Sequence, residues 1–407
     1  MRTRKRTGNA AETILTASAD AIGLIDRGEC TLDDYLDRHA PADFRRTVEH
    51  LLLCFYRHRG YFVRELSRLV SRTPDHKVQN LLFAVFTQCR FQSAIAPESA
   101  VSVAVDAAKK FRADKFVNAV LRRFIAERTA ISSAPCDVLP SAVYTRWKKR
   151  YSEEILKQMA ALFMSEPPFS FRMEKGTQQT DFDCRYLSGN SLFKFYSADS
   201  ADVLKSRSLA EGRIYIQDPA TGYAPSLPDY SSVKSAIDLC AAPGGKSLMI
   251  AENLPSDGKL TAFDRSKNRQ ILTQQNFDRR GLKHKVLSGK LEELTGTFDL
   301  VLADVPCSNT GVFRHRPDAL WRFSEKELTA VTELQREILE HAARLTAPGG
   351  QLVYSTCSLE PEENILMAED FAARHPDFKL AEGKTLLPDE NADGASAFLF
   401  VRSSASR

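Results

Sequence analysis

The stretch Cys240–Ser247, CAAPGGKS, decides which fold and which cofactor the sequence predicts. Its right half resembles the end of a phosphate-binding P-loop, whereas its left half resembles the glycine turn of a dinucleotide or methyl-donor site. A P-loop follows the pattern GxxxxGK[ST]. With Gly245 as the second glycine, Cys240 stands where the first must be. Because that first glycine forms the phosphate cradle, we favour a turn for a dinucleotide or S-adenosylmethionine over a nucleoside triphosphate site.

The residues around this turn predict a doubly wound α/β sheet. From about residue 233 onward, short apolar runs alternate with helical stretches, a pattern typical of βαβ units with helices on both faces. The turn follows the run Ser235–Leu239 and so lies at the carboxyl edge of the sheet, where such folds bind ligands. The next run ends in Asp264, 26 residues after Asp238, and an acidic residue there can accept both hydroxyls of a ribose.

The first part of the chain predicts an all-α bundle. In His76–Phe91 the apolar residues recur at the spacing of an amphipathic helix, at Val78, Leu81, Leu82, Val85, Phe86 and Cys89. Residues 1–150 hold 26 Lys and Arg against 16 Asp and Glu, whereas the remainder carries a balance of −6. This asymmetry favours a polyanionic partner for the first part, although solvated helix faces would show the same excess.

Three domains are predicted from these patterns. We assign 1–135 to the helical domain, 143–232 to a small α+β region, and 233–407 to a Rossmann-like catalytic domain, with a linker around 131–142. Apolar runs long enough to cross a membrane are absent from the sequence, and an apolar signal region does not follow the basic N-terminus. We expect a cytoplasmic monomer whose eight cysteines are thiols, and without CxxC pairs we expect no zinc site.

Two cysteines and one aspartate follow predicted strands of the sheet. Asp304 and Cys307 come just after the run Phe298–Ala303, and Cys357 comes just after another run. Since both strands end at the edge that carries the glycine turn, these groups should meet beside one ligand. The alternative is two buried thiols that pack under loops. A thiol beside a methyl donor is the chemistry that activates carbon 5 of a pyrimidine, because sulfur addition at carbon 6 makes that carbon nucleophilic.

Three motifs carry a resemblance to a known family. The segments DLCAAPGGKS, DVPCSNTGVFRHRPDALW and YSTCSLEPEEN resemble the RNA 5-methylcytosine methyltransferases of the Sun/Fmu (RsmB) and NOL1/NOP2 group. The helical region, with KFVNAVLRRF, looks like the NusB-type RNA-binding domain that precedes the bacterial 16S rRNA enzyme, and IYIQDPAT also matches that group. The resemblance covers the whole chain and implies S-adenosyl-L-methionine as cofactor and 16S rRNA as substrate.

The resemblance also implies a role for individual residues. Cys357 would be the nucleophile, Cys307 would assist product release, and Asp304 would contact the target cytosine near the methyl donor. The residues implied for the cofactor are Cys240, Ala241, Ala242, Pro243, Gly244, Gly245, Lys246, Asp264 and Asp304. From spacing alone the two thiols cannot be ranked, and Lys246 could equally neutralise the cofactor carboxylate or cap a helix.

The chain departs from the family at two positions. Lys290 stands where an acidic residue near the adenine is usual, so Glu292 or apolar contacts would hold the adenine instead. Asn309 replaces the glycine of the usual PCSGTG, and asparagine tolerates left-handed backbone angles. These departures leave open a non-catalytic RNA-binding assembly factor, and a tRNA substrate is a further alternative.

The remaining candidates flank the predicted pocket. A basic loop after the PCS motif could contact RNA phosphates or a flipped base, and comprises Arg314, His315 and Arg316. Trp321 and Phe323 could stack on a base, but core packing is the commoner fate of such residues. Glu362 and Glu363 are expected to cap and charge the start of a helix.

Overall fold

The computed structural model describes residues 2–92, 95–127 and 129–404, and the chain folds as two compact units. The helical unit comprises Met1–Glu166 and Phe313–Phe323, and the α/β unit comprises Pro167–Val312 and Ser324–Arg407. The three ranges expected from the sequence, 1–135, 143–232 and 233–407, stay a prediction about functional domains. Within the described ranges, no helix is long and apolar enough to cross a membrane.

The helical unit is an all-α bundle. Numbered in chain order through the whole molecule, its helices are α1 (Arg2–Asp26), α2 (Leu32–Arg38), α3 (Arg45–Arg57), α4 (Arg59–Leu69), α5 (His76–Phe91), α6 (Pro97–Ala108), α7 (Asp114–Ala126), α8 (Pro135–Val138), α9 (Ser141–Trp147), α10 (Glu153–Met164) and α15 (Pro317–Arg322). Side-chain caps define several starts: Thr31 forms a capping box with Asp34, and Asp75 accepts a hydrogen bond from the Lys77 amide. The apolar stripe of α5 is buried in the bundle core, which confirms the helical prediction.

The α/β unit begins with a small antiparallel sheet. Its strands are β1 (Ser170–Met173), β2 (Arg185–Gly189), β3 (Lys194–Ser197) and β4 (Ile214–Ile216), in the order β2-β3-β1-β4, and the short helices α11 (Ser200–Lys205) and α12 (Arg207–Ala210) precede β4. Alternate residues of β1 point to opposite faces, as strand geometry requires. Phe171 packs with Val203 and Ile214, whereas Arg172 is fully buried and pairs with Glu252 at 2.6 Å.

The second sheet has the predicted Rossmann-like topology. Its strands β5 (Ser235–Asp238), β6 (Lys259–Asp264), β7 (Lys285–Ser288), β8 (Phe298–Asp304), β9 (Thr346–Thr356), β10 (Phe378–Leu386) and β11 (Ala395–Arg402) lie in the order β10-β11-β9-β8-β5-β6-β7. The strands from β9 to β7 pair in parallel, and β11 runs antiparallel to β9 and β10. The connecting helices are α13 (Gly245–Asn253), α14 (Lys267–Arg279), α16 (Glu325–Leu345) and α17 (Ile365–Arg374).

The strand order reverses between β5 and β8, and this switch point is where open α/β sheets bind ligands. The core beneath it forms because both faces of the central strands are apolar: Leu300, Val301, Leu302 and Ala303 of β8 are each at most 1% exposed. Helix α16, capped by Ser324, covers one face with Ile338 and Leu339. The glycine turn, the end of β8 and the end of β9 are thereby held at one edge of a rigid sheet.

Candidate functional site

The glycine turn leaves β5 and enters α13 through a backbone conformation that only glycine adopts readily. Gly244 has φ +104°, and a Cβ there would lie 3.1 Å from the Thr273 Cγ2 atom. The Ala241 amide donates to the Phe263 carbonyl at 2.9 Å, which ties the turn to the end of β6. The turn is therefore tight and fixed on two strands, so its backbone can approach a ligand closely.

Two strand-end carboxyl groups flank the turn. Asp238 is buried, accepts a hydrogen bond from the Ser247 hydroxyl at 2.6 Å, and has its pKa raised to about 7 by burial. Asp264, at the end of β6, accepts from the amides of Ala242 at 3.3 Å and Ser266 at 2.8 Å. A carboxylate has about four acceptor positions, so Asp264 retains capacity for ribose hydroxyls. This hydrogen-bond acceptor and the glycine cradle fit the nucleoside part of S-adenosyl-L-methionine, whose ribose hydroxyls donate.

Lys246 pairs with the aspartate at the end of β8. Its Nζ lies 2.7 Å from Asp304 Oδ2, and the other Asp304 oxygen accepts a hydrogen bond from Ser355. Burial lowers the pKa of Lys246, but the Asp304 carboxylate more than offsets that effect, so the net pKa is raised. The sequence left two roles open for Lys246, to neutralise the cofactor carboxylate or to cap a helix. In this structure its ammonium group instead forms an ion pair with Asp304.

The two thiols meet, as the sequence predicts. The Sγ atoms of Cys307 and Cys357 lie 2.8 Å apart, and none of the eight cysteines, all of which lie in the described ranges, forms a disulfide. The Cys357 amide donates to Cys307 Sγ at 3.3 Å, and the Cys357 thiol donates to Asn309 Oδ1 at 3.3 Å. The hydrogen bond with Cys357, together with burial, raises the pKa of Cys307 well above its usual value. Cys307 therefore starts as a thiol.

Asn309 keeps the loop that the usual glycine would form. Its φ is +61°, in the left-handed region that asparagine tolerates. Its side-chain Nδ2 donates to the Cys307 carbonyl at 3.0 Å, which closes the turn around the cysteine. The departure from PCSGTG thus adds one side-chain contact to the Cys357 thiol and one to the Cys307 backbone rather than disrupting the loop.

Glu363 holds the two cysteine loops together, a role that sequence reasoning missed. This side chain is fully buried and accepts hydrogen bonds from the Ser308 amide at 2.9 Å, the Ser358 hydroxyl at 2.5 Å and the Gln335 amide at 2.8 Å. Burial raises the pKa of the Glu363 carboxyl. Ser308 and Ser358 directly follow the two cysteines, so one carboxyl group bonds to both loops. The one sequence feature that pointed to this role is that Glu363 lies in the EPEEN segment, shortly after the second cysteine.

A cavity of about 150 Å³ opens beside this cluster and is lined by Lys246, Asp304, Ser355 and Cys357, with Asp218 and Thr221 from the QDPAT segment. A cavity of roughly this size holds one benzene-sized ring in another protein. The end of β8, the end of β9 and the start of α13 therefore surround a space for a single planar ring beside the glycine turn.

The basic loop belongs to the helical unit. Arg314 is buried and donates to the Glu166 carbonyl at 2.9 Å, and Arg316 pairs with Asp33 at 3.0 Å; His315 lies in the same segment. Contact with RNA by these residues stays a prediction. Trp321 packs against the helical core and donates to the Tyr56 carbonyl at 2.8 Å, which confirms the packing interpretation.

Lys290, which stands where the family has an acidic residue near the adenine, and Glu292, the alternative contact, both lie after β7. Lys290 is exposed and precedes a short 3-10 turn, Leu291–Glu293. The Glu292 carboxylate lies 3.8 Å from His341 Nε2 on α16. Whether Glu292 or apolar contacts hold the adenine stays a prediction, as does the assignment of Cys240–Lys246 to the cofactor.

The chain is similar to known proteins along both of its units. A family model described as 16S rRNA methyltransferase RsmB/F matches residues 229–401, and the NusB family model matches residues 31–126. The chain is 32% identical over 349 residues to ribosomal RNA small subunit methyltransferase B of Shewanella oneidensis, covering 78% of this chain and 80% of that protein. The corresponding Vibrio cholerae protein is 36% identical over 202 residues, 47% of this chain and 46% of its own.

Solved structures show the same fold. The crystal structure of PH0851 matches 96% of this chain and 98% of its own, with a TM-score of 0.75 at 22% identity. A methyltransferase homolog protein from Pyrococcus horikoshii matches 65% of this chain and 99% of its own, with a TM-score of 0.52 at 24% identity.

Proposed function

Because this chain belongs to the RsmB/F family of 16S rRNA methyltransferases, we propose that it methylates carbon 5 of a cytosine through a covalent bond between Cys357 and the RNA. S-adenosyl-L-methionine is the cofactor and supplies an electrophilic methyl group. One observation carries the proposal: Cys357 and Asp304, at the ends of adjacent strands, line one ring-sized cavity, and the Cys307 thiol lies 2.8 Å from the Cys357 thiol. That set matches the chemistry which an unreactive pyrimidine carbon requires.

In the first step of the proposed reaction, Cys357 is the nucleophile and Asp304 contacts the ring. The Cys357 thiolate adds to carbon 6 of the cytosine, which forms a C–S bond and makes carbon 5 nucleophilic. Asp304 contacts the ring at nitrogen 3 as a carboxylic acid, with the proton that it shares with Lys246 at 2.7 Å, and by donating to nitrogen 3 it stabilises the negative charge that forms there on addition. Carbon 5 then takes the methyl group. Cys357 and Asp304 line the same cavity, which supports this division of roles.

In the second step of the proposed reaction, Cys307 is the base. A base must remove the proton from carbon 5, after which the C–S bond breaks and the Cys357 thiolate leaves. The hydrogen bond with Cys357 is the first cause of the raised pKa of Cys307. Once the Cys357 sulfur is bonded to carbon, that hydrogen bond is lost, so Cys307 ionises more readily when a base is needed.

A pair of cysteine variants tests this proposal. Cys357→Ala should abolish methyl transfer from labelled S-adenosylmethionine to 16S rRNA, because no nucleophile remains. Cys307→Ala should instead accumulate a protein–RNA adduct that survives a denaturing gel. Cys136→Ala, at an exposed cysteine, is the matched control and should behave as the parent protein. Full activity of Cys357→Ala would refute the nucleophile.

The substrate is tested separately. Bisulfite sequencing of ribosomal and transfer RNA from a deletion strain should show one 16S rRNA cytosine losing its methyl group. A loss confined to transfer RNA would overturn the rRNA assignment while leaving the chemistry intact. The basic helical unit should bind RNA through phosphates, so the affinity should fall steeply with salt. Absence of S-adenosylmethionine binding by calorimetry would favour a non-catalytic assembly factor.

A further inference from the structure

Three side chains with metal-binding atoms converge in the helical unit, away from the residues used above. His50 and Cys54 lie one turn apart on α3, with His50 Nε2 at 3.9 Å from Cys54 Sγ. The Glu166 carboxylate completes the group, and the three donor atoms all lie within 4.8 Å of one another. Residues four apart on a helix share one face, so the His50–Cys54 approach follows from helix geometry.

We propose that His50, Cys54 and Glu166 form a zinc site. Imidazole nitrogen, thiolate sulfur and carboxylate oxygen are the ligands zinc takes in proteins, at roughly 2.0–2.3 Å. Two such ligands around one tetrahedral ion stand about 3.3–3.6 Å apart at those bond lengths. The observed separations, 3.9 Å for His50 and Cys54 and at most 4.8 Å for the other pairs, therefore require closure by no more than about 1.5 Å, which side-chain rotation provides. Water would take the fourth position.

The electrostatics of the surroundings agree with this assignment. Zn²⁺ with one thiolate, one carboxylate and a neutral imidazole carries no net charge. The site is therefore compatible with Arg57, whose Nη1 lies 3.9 Å from Glu166 Oε1 and whose side chain is 5% exposed. Arg57 can continue to hold the carboxylate from outside, as partners of metal ligands commonly do. Coordination requires the thiolate, so the Cys54 proton is released to solvent on binding.

Access and rigidity also suit a metal. Cys54 is buried, whereas His50 and Glu166 are exposed, so the sulfur forms the floor of a site that is open to solvent. The Glu166 backbone is fixed because its carbonyl accepts the hydrogen bond from Arg314. A bound ion would cross-link α3 to the segment that follows α10, and would stabilise the helical unit in proportion to its occupancy.

Cobalt titration of the full chain tests the ligands, because thiolate coordination to Co²⁺ gives a near-ultraviolet charge-transfer absorption. Reduced protein stripped with EDTA should develop this absorption, and Cys54→Ser should lose it. Cys89→Ser, a half-buried cysteine on α5, is the matched control and should retain it. The double variant Cys307→Ser/Cys357→Ser should also retain it, which separates this site from the other sulfur pair.

A second measurement uses the exposed ligands, whose replacement leaves the core intact. His50→Gln and Glu166→Gln should each weaken Co²⁺ binding at least tenfold, and Zn²⁺ should raise the melting temperature of the parent by about 5 °C but not that of the variants. In EDTA the two glutamine variants should melt like the parent. Absence of the absorption in the parent, its survival in Cys54→Ser, or unchanged binding by both glutamine variants would overturn the proposal. Methyl transfer enters none of these measurements.

Discussion

Replacement of Glu363 by alanine should separate the two cysteine loops. The change removes the acceptor of the Ser308 amide and one of the two acceptors of the fully buried Gln335 amide, which keeps the Pro306 carbonyl. A buried donor left without a partner costs about 1–3 kcal/mol, less at the half-buried Ser308, so we expect a loss of about 2–5 kcal/mol in the free energy of unfolding. The two serine hydroxyls can bond to each other, since Ser308 Oγ lies 3.1 Å from Ser358 Oγ.

Glutamine at the same position is the matched control. Its carbonyl oxygen can accept from the Ser308 and Gln335 amides, and its NH₂ group can donate to the two serine hydroxyls. Every neighbour of Glu363 keeps a partner, so Glu363→Gln should cost no more than about 1.5 kcal/mol. The buried charge contributes little that an amide cannot replace, because burial already raises the pKa of this carboxyl.

Single-turnover methyl transfer and urea unfolding of the full chain measure both consequences. Because the loops set the positions of Cys307 and Cys357, Glu363→Ala should slow methyl transfer by about 10- to 100-fold, the effect of a displacement near 1 Å. Glu363→Gln should stay within a few-fold of the parent. Parent-like stability and rate in the alanine variant would refute the reasoning, and so would a glutamine variant as impaired as alanine.

Three further changes test the turn, the buried acid and the loop. Gly244→Ala, at φ +104°, should weaken S-adenosylmethionine binding in calorimetry, whereas Gly281→Ala, at φ +64° with open space around it, should cost stability alone. The raised pKa of Asp238, about 7, means that the folded state binds more protons than the unfolded chain between about pH 4 and 7. Stability should therefore fall by about 4 kcal/mol as pH rises through that window, and Asp238→Asn should flatten this slope in urea unfolding at several pH values. Asn309→Gly removes the acceptor of the Cys357 thiol, so alkylation of Cys357, followed by mass spectrometry, should be about two- to tenfold faster.

The sequence predicted the parts of the site that depend on strand ends. The missing P-loop glycine at Cys240 and the acid at Asp264 indicated the kind of turn, and the structure has that turn at the switch point. Cys307 and Cys357 were predicted to meet because both follow parallel strands that end at one edge. These inferences needed only local patterns and one rule of topology, so a single sequence was sufficient.

Contacts between distant residues of no fixed pattern could not be predicted in this way. Glu363 lies just before α17, as expected, but it also bonds to Ser308, 55 residues away, and only the fold shows that one carboxyl group joins both cysteine loops. Likewise, Cys54 and Glu166 are far apart in the chain, and the absence of CxxC pairs gave no indication of a mixed donor set. The zinc proposal departs from the sequence expectation for that reason.

The register of β8 against β9 explains why Asp304 and Cys357 meet at the cavity, with the Cys307 sulfur beside that of Cys357. Asp304 is the register partner of Ser355, and the two side chains are hydrogen-bonded where the strands end. Cys307 follows Asp304 by three residues and Cys357 follows Ser355 by two, so each loop turns back toward the same point. Neighbouring residues of a strand face opposite sides of the sheet. A shift of β8 by one residue along its neighbours would therefore turn the Asp304 side chain away from Lys246. The parallel pairing thus sets the separation of the acid and the thiols, and Glu363 fixes the loops that the pairing leaves free.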